Sequence, residues 1–136
     1  DKWKHEVLKS KQLITATGLR FYWFDTKITN TGYITNGTNI CNYPVQMFAT
    51  ADVVPIGIAH FWHRKKRLKL DGYITNTIHD SIIGEIPEEL DEEYNDLAEQ
   101  SLIKDVDIYL KKVYDIDMNV PLAIDFDLST HWSLKD

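Results

Sequence analysis

A single cysteine, Cys41, leaves this chain without an internal disulfide or a cysteine-built metal site. No apolar run approaches the ~18 residues of a membrane-spanning helix, and residues 1–10 are too polar for a secretory signal. Asn36-Gly37-Thr38 matches the glycosylation acceptor pattern, but nothing else points to secretion, so an intracellular protein is the expectation. Acid is scarce in the first half and base in the second. Residues 1–70 carry 11 Lys/Arg against 4 Asp/Glu, and residues 71–136 carry 4 against 17, which together give the net charge of -6. Such a split lets a basic half face phosphates while the acidic half faces elsewhere. An acidic, well-solvated helix in the second half explains most of the excess without any partner.

What is present is ordinary for a soluble globular chain: 136 residues, 43% hydrophobic and 26% charged, the length of one domain. Trp3, Val7, Leu8, Leu13 and Ile14 suggest the end of a helix in 1–14, begun without a cap or leader, as in a chain cut from a longer one. Leu13–Thr17 and Arg20–Phe24 flank Gly18 and predict a β-hairpin with a left-handed turn residue. Residues 26–42, rich in Thr, Asn and Gly, predict a loop running into a helix start. From 43 to 67, Val45, Phe48, Ala49, Val53, Ile56, Ala59 and Phe61 fall near a 3.6-residue repeat, with Pro55 expected to bend the helix. Residues 72–78 and 81–86 predict a second hairpin with only His79-Asp80 between its strands. Pro87 opens a long acidic helix of about 26 residues striped by Leu90, Tyr94, Leu97, Leu102, Val106 and Tyr109. Val120, Leu122, Ile124, Phe126 and Leu128 alternate with other residues and predict a last strand. The fold class implied is α+β, an antiparallel sheet with helices packed on one face.

His79-Asp80 is the most informative pair. Two-residue hairpin turns favour Asn-Gly or Asp-Gly because their central positions need positive φ. A rule broken between two good strands suggests a site rather than a connector, although an exposed turn of no consequence would look the same. A carboxylate on a rigid hairpin tip is well placed to hold a hard cation such as Mg2+. The second feature is Asn42-Tyr43-Pro44-Val45-Gln46, in which Asn42 reads as an N-cap and Pro44 as a first-turn residue. Gln46 shares the face of Asn42 and is suited to minor-groove acceptors. The third is Arg64-Lys65-Lys66-Arg67, which suits either the negative end of a helix dipole or phosphate contact.

Asn42-Tyr43-Pro44-Val45-Gln46, followed by Ala49-Thr50-Ala51-Asp52-Val53-Val54, resembles the segment after the fingers of family A DNA polymerases, the group of bacterial repair polymerases and many phage replicases. Thr77-Ile78-His79-Asp80-Ser81 resembles that family's His-Asp motif, and Thr15–Tyr22 its T-x-x-G-R-R hairpin. The run from Val120-Pro121-Leu122 to Trp132 resembles its closing strand and terminal Trp. The four matches are in order and span nearly the whole chain. The resemblance implies one domain over 1–136, the C-terminal palm portion, with 1–42 leading from the fingers and 43–136 carrying the palm helix, the His-Asp hairpin, the long helix and the last strand. It implies Asp80 as one metal-binding aspartate, His79 beside the primer end, and Asn42, Gln46 and Arg20 against primer-template DNA. The activity implied is DNA-directed nucleotidyl transfer from a deoxynucleoside triphosphate in DNA replication, supported by two Mg2+ ions. The location implied is cytoplasmic, the host cytoplasm if phage-encoded.

Three positions depart from the family pattern. Ser81 stands where many members have Glu and resembles the phage branch. Thr38 stands where bacterial members have Arg, and Met47 where a small Gly is usual. The family's other metal-binding Asp and its nucleotide-binding helix lie upstream of the matched region. This chain alone is therefore expected to be inactive, with the remaining polymerase segments or an N-terminal polymerase subunit as its partner and no membrane involved. Two other readings stand beside this one. One is a polymerase-derived or merely similar module that binds without catalysis. The other is a metal phosphohydrolase, for which Asp125 and Asp127 are the candidates to join Asp80. His60 and His63 have the spacing of a zinc pair but no apparent third ligand, so ordinary helix histidines are the expectation.

Overall fold

Val7 is the only buried residue of the first helix, α1 (Lys2–Ser10), and it fixes how the rest of residues 1–55 gathers. The computed structural model describes residues 2–131, and the chain divides into two units between Pro55 and Ile56. In the first unit Lys11 takes a left-handed conformation (φ 60°), and its N–H returns to the Val7 carbonyl at 2.9 Å, ending α1. The chain then pairs β1 (Gln12–Ile14) with β2 (Arg20–Tyr22) antiparallel, Leu13 opposite Phe21. Gly18 takes the positive φ, 91°, that the tight turn requires. Leu13, Trp23 and Ile40 close over Val7, and Phe21 stacks on Trp23 at 5.7 Å. Full burial of Val7 and Ile40 is worth about 2 kcal/mol each.

α2 spans Gly37–Met47, so it begins earlier than the expected Asn42. Asn36, left-handed at φ 60°, precedes the helix, and Asn42 lies inside it rather than at its cap. Pro44 is correspondingly a buried interior residue, not a first-turn one. The bend expected at Pro55 takes the form of a π-helical segment, Phe48–Val53, after which α3 runs Val54–Leu68. The Val54 N–H donates to the Ala49 carbonyl, five residues back. Pro55 has no N–H for the Ala51 carbonyl, and widening the preceding turn accommodates the ring.

In the second unit β3 (Tyr73–Ile78) and β4 (Ser81–Glu85) form the predicted hairpin, with an irregularity between Ile74 and Asn76. The fold is α+β, and its antiparallel pairs form two separate two-stranded sheets. Ile74 and Ile86 pack on Phe61 of α3 and on Tyr94, Leu97 and Ala98 of α4 (Asp91–Ala98), so helices line one side of this hairpin. The Tyr94 hydroxyl donates to the Asp71 carbonyl at 2.6 Å, and a side chain on Gly72 (φ 115°) would collide with that hydroxyl and the Glu85 carbonyl. Burial, with the Asp71 carboxylate adding to it, raises the Tyr94 phenol above its ordinary pKa.

The long acidic helix is interrupted. A short 3₁₀ turn at Glu88–Leu90 precedes α4, a π-helical segment covers Glu99–Lys104, and α5 runs Asp105–Tyr114. The last strand expected over 120–128 does not form: residues 119–129 have no regular structure beyond a bend at 119–120. Its alternation survives in part, with Leu122 and Ile124 half-buried and Ile124 packed on the Phe61–Tyr94 cluster. Alternation reports which face is buried, whereas a strand also needs a neighbouring backbone to bond to, and none lies alongside among the described residues. Trp132 lies outside the described residues.

One polar cluster fastens α3 to α5. Arg64 grips Asp105 bidentately, through Nε to Oδ2 and through Nη2 to Oδ1 at 2.7 Å, and Gln100 Nε2 donates to Oδ1 at 3.1 Å. The hydrogen bond from Arg64 holds the Asp105 carboxyl below its ordinary pKa against the opposing effect of burial. Because the folded-state pKa is lowered, the pair's stabilisation is complete above the unfolded value, near 3.9, and is lost as pH falls through the folded one. In urea unfolding, Arg64→Ala is expected to destabilise the chain by about 3 kcal/mol at neutral pH. The stability difference between wild type and Asp105→Asn is expected to shrink on going from about pH 5 to pH 3. A difference that stays constant over that range would show that Asp105 is not ionised by this pair.

Candidate functional site

The β3–β4 hairpin carries His79 and Asp80 at its tip, with Ile78 paired to Ser81 across a two-residue turn. His79 takes a positive φ of 55°. A non-glycine residue in this region costs energy, histidine less than a β-branched residue, and the turn is held in place by the ladder behind it. Both residues are exposed, and the Asp80 carboxylate has neither a hydrogen bond nor an ion pair among the described residues. Asp80 also lines a cleft of about 500 Å3, with Ser81, Ile82, Asp125, Phe126 and Asp127 among its other walls. The floor is the apolar cluster of Phe61 and Tyr94. Three carboxylates therefore line one cleft, yet among the described residues no group of three His, Cys, Asp or Glu side chains is placed to hold a metal ion. The described residues alone do not make up a magnesium site.

Asn42 and Gln46 lie one turn apart on α2, both exposed, on the face opposite buried Pro44 and Ile40. Neither side-chain amide is engaged among the described residues, although the Gln46 backbone carbonyl accepts the Thr50 hydroxyl at 3.0 Å. The expected sharing of a face thus holds, but by helix-interior spacing rather than capping. Arg20 lies exposed on β2, opposite Ile14. The structure brings His79 to Asp80 and Asn42 to Gln46. The first pair belongs to the second unit, while the amides and Arg20 belong to the first.

Two polar arrangements escaped the sequence reading. Thr17 at the first hairpin's tip donates to Asp52 Oδ2 at 2.8 Å, tying the hairpin to the π-helical segment. The other is the Asp105 cluster, where His60 Nδ1 approaches Oδ2 at 3.7 Å and its ring meets Tyr109 edge-on at 5.7 Å. His63 instead meets Trp62 edge-on at 4.9 Å, so the two histidines look to different partners. An available signal was Asp105 itself, which directly precedes Val106 of the apolar stripe in a helix otherwise acidic on its outer side.

No family model matches the chain, and neither a curated protein nor a solved structure matches it. No helix among the described residues is long and apolar enough to cross a membrane.

The environment of Asp80 makes a clear expectation for stability. An exposed carboxylate with no partner contributes little to folding, so Asp80→Ala is expected to shift unfolding by no more than about 0.5 kcal/mol. A loss above 2 kcal/mol in the same urea titration would make the turn a structural device and remove the case for a site.

Proposed function

We propose that this chain is the C-terminal palm part of a DNA-directed DNA polymerase of the family A type. The observation that carries the reading is the unpartnered Asp80 carboxylate, raised on a strained two-residue turn between paired strands. Nothing in the hairpin's own stability calls for His-Asp at that position, whereas presenting a carboxylate to a nucleotide-bound cation does. The ordered sequence matches at Thr15–Tyr22, Asn42–Gln46 and His79-Asp80 support it further. So do the two free amides of Asn42 and Gln46, spaced to meet successive minor-groove acceptors.

On this reading Asp80 contributes one ligand to metal ions whose other ligands come from upstream polymerase residues. His79 lies beside the primer end, Asn42 and Gln46 hold the primer-template minor groove, and Arg20 sits by the duplex backbone. The chain works with primer-template DNA, a deoxynucleoside triphosphate and an upstream polymerase region, and it is inactive without that region. The segment carrying Leu122 and Ile124, with its alternating pattern and no ladder partner among the described residues, offers an edge for such a region.

Primer extension with Mg2+ and all four nucleotides tests this. The chain alone is expected to incorporate nothing, and a mixture with an upstream polymerase fragment is expected to extend the primer. Asp80→Ala should lower that extension by at least a hundredfold, as removal of a group acting only in the transition state does. Extension by the chain alone would refute the incomplete-site reading. Silence in the mixture, with both parts folded and associated, would favour a module that binds without catalysis.

A further inference from the structure

The basic cluster at the end of α3 has a job that the helix dipole does not explain. Two of the terminal carbonyls of α3 are already satisfied by backbone: Lys69, left-handed at φ 57°, donates its N–H to the Lys66 carbonyl at 3.3 Å, and Leu70 donates to the Lys65 carbonyl at 3.2 Å. Of the cations in 64–69, only Arg64 turns inward to a carboxylate. Lys65, Lys66, Arg67 and Lys69 have no ion pair among the described residues, although the chain from 71 onward is strongly acidic. Two of them rest on aromatic rings instead. The Lys66 ammonium lies 5.0 Å from the Trp62 ring centre, and that of Lys65 lies 5.8 Å from the Tyr73 ring centre. Trp62 is 49% exposed and Tyr73 70%. Large aromatic rings left in water, each beside a lysine, form a surface that buried packing does not account for.

We propose that the basic and aromatic C-terminal end of α3, with Tyr73 of β3, binds single-stranded nucleic acid, with Lys65, Lys66, Arg67 and Lys69 supplying phosphate contacts around the helix end and Trp62 and Tyr73 stacked on bases. Charge complementarity selects a polyanion, and the exposed rings select among polyanions. Every unpaired base has a flat face to offer, whereas a duplex hides its base faces and an acidic polypeptide has no use for the rings. Phosphates draw the lysines away from the rings and free those faces for bases. The inference stands independently of the polymerase reading, because it uses none of Asp80, His79, Asn42, Gln46 or Arg20.

The test is fluorescence anisotropy of labelled oligothymidylate and oligouridylate with the full chain in EDTA, over a series of salt concentrations. Binding is expected, with log K falling against log salt at a slope of roughly -2 to -3, as three or four phosphate contacts on a single strand give. Lys65→Gln with Lys66→Gln should flatten the slope by about 1.4. Trp62→Ala should weaken binding by about tenfold while leaving the slope unchanged. The two labelled strands decide between DNA and RNA, and either one supports the proposal. Absence of binding, binding indifferent to Trp62→Ala, or equal competition by duplex DNA or polyglutamate would each overturn it. So would binding lost in Arg20→Ala/Asn42→Ala/Gln46→Ala and kept in the lysine variants, which would place the strand on the other unit. Circular dichroism of these surface variants confirms that they remain folded. Asp80→Ala should bind the oligonucleotides normally while failing in primer extension, so either reading can fail without the other.

Discussion

Asp105 imposes the constraint on which the second unit is arranged. Its side chain is only 9% exposed, and a carboxylate so placed must either be neutralised or be surrounded by donors. Arg64, Gln100 and His60 are the groups within reach. Arg64 and His60 are four residues apart and so share a face of α3. Gln100 and Asp105 are five apart, which on an α-helix would leave them about 140° apart around the axis. The π-helical segment at Glu99–Lys104 removes that mismatch, since its bonds run from one residue to the fifth along, as the Asp105 N–H does to the Gln100 carbonyl. The interruption of the long helix is therefore matched to the ion pair it serves. The same registration sets Gly57 of α3 so near Leu102 that an added Cβ would stand 2.8 Å from that leucine's Cδ2.

From that fastening the surroundings follow. With Arg64 and Phe61 directed inward, helical geometry turns Trp62 and Lys66 outward, while Lys65, one turn on from Phe61, is half-buried. Phe61 meets Tyr94 at 6.0 Å, and Tyr94 reaches back to the Asp71 carbonyl at the start of the hairpin. Gly72 is needed there because any side chain would strike the Tyr94 hydroxyl. The hairpin's base is thus pinned while its tip, beginning six residues beyond Tyr73, is exposed at the rim of the cleft. A rigid base and a free tip are what a hairpin needs if it is to present a side chain rather than bury one.

Much of this was legible in the sequence, and the parts that were not share a cause. Gly18 and the lone His79-Asp80 pair between β-rich runs announced both hairpins, because turn chemistry is local. Phe61 of α3 and Tyr94 and Leu97 of α4 followed from periodicity, whereas Val45, Ala49 and Ala59 of the predicted stripe over 43–67 are exposed. Asn42 misled as a cap because Asn36 and Gly37 offered the chain an earlier start, with Asn36 able to adopt the left-handed conformation; both sites satisfy the same local rule. The π-helical segment before Pro55 had a local signal in the missing N–H, but the one at Glu99–Lys104 had none, because its reason is Arg64, far away in sequence. Val120–Leu128 showed the alternation of a strand without its pairing, and pairing is a property of the neighbour. At the site, the residues were named by motif, while the sharing of one cleft by Asp80, Asp125 and Asp127 required the fold.

Asp80 and Asp105 are the same residue type under opposite conditions, and the contrast bears on function more than either does alone. Asp105 has both carboxylate oxygens addressed by donors and a depressed pKa, the signature of a charge retained for architecture. Asp80 stands on a residue pair that is costlier than the usual turn residues and has no partner among the described groups. Folding would tolerate Asn at 79 and would gain from it, since Asn takes the positive φ that His79 adopts at lower cost. On the polymerase reading, a feature that engages nothing within the unit is explained by a group outside it. A carboxylate held out in this way suits a cation or a hydrogen-bond donor brought by a partner. Asn42 and Gln46, equally exposed and equally free, make the same kind of offer to a different chemistry, that of neutral acceptors one helical turn apart.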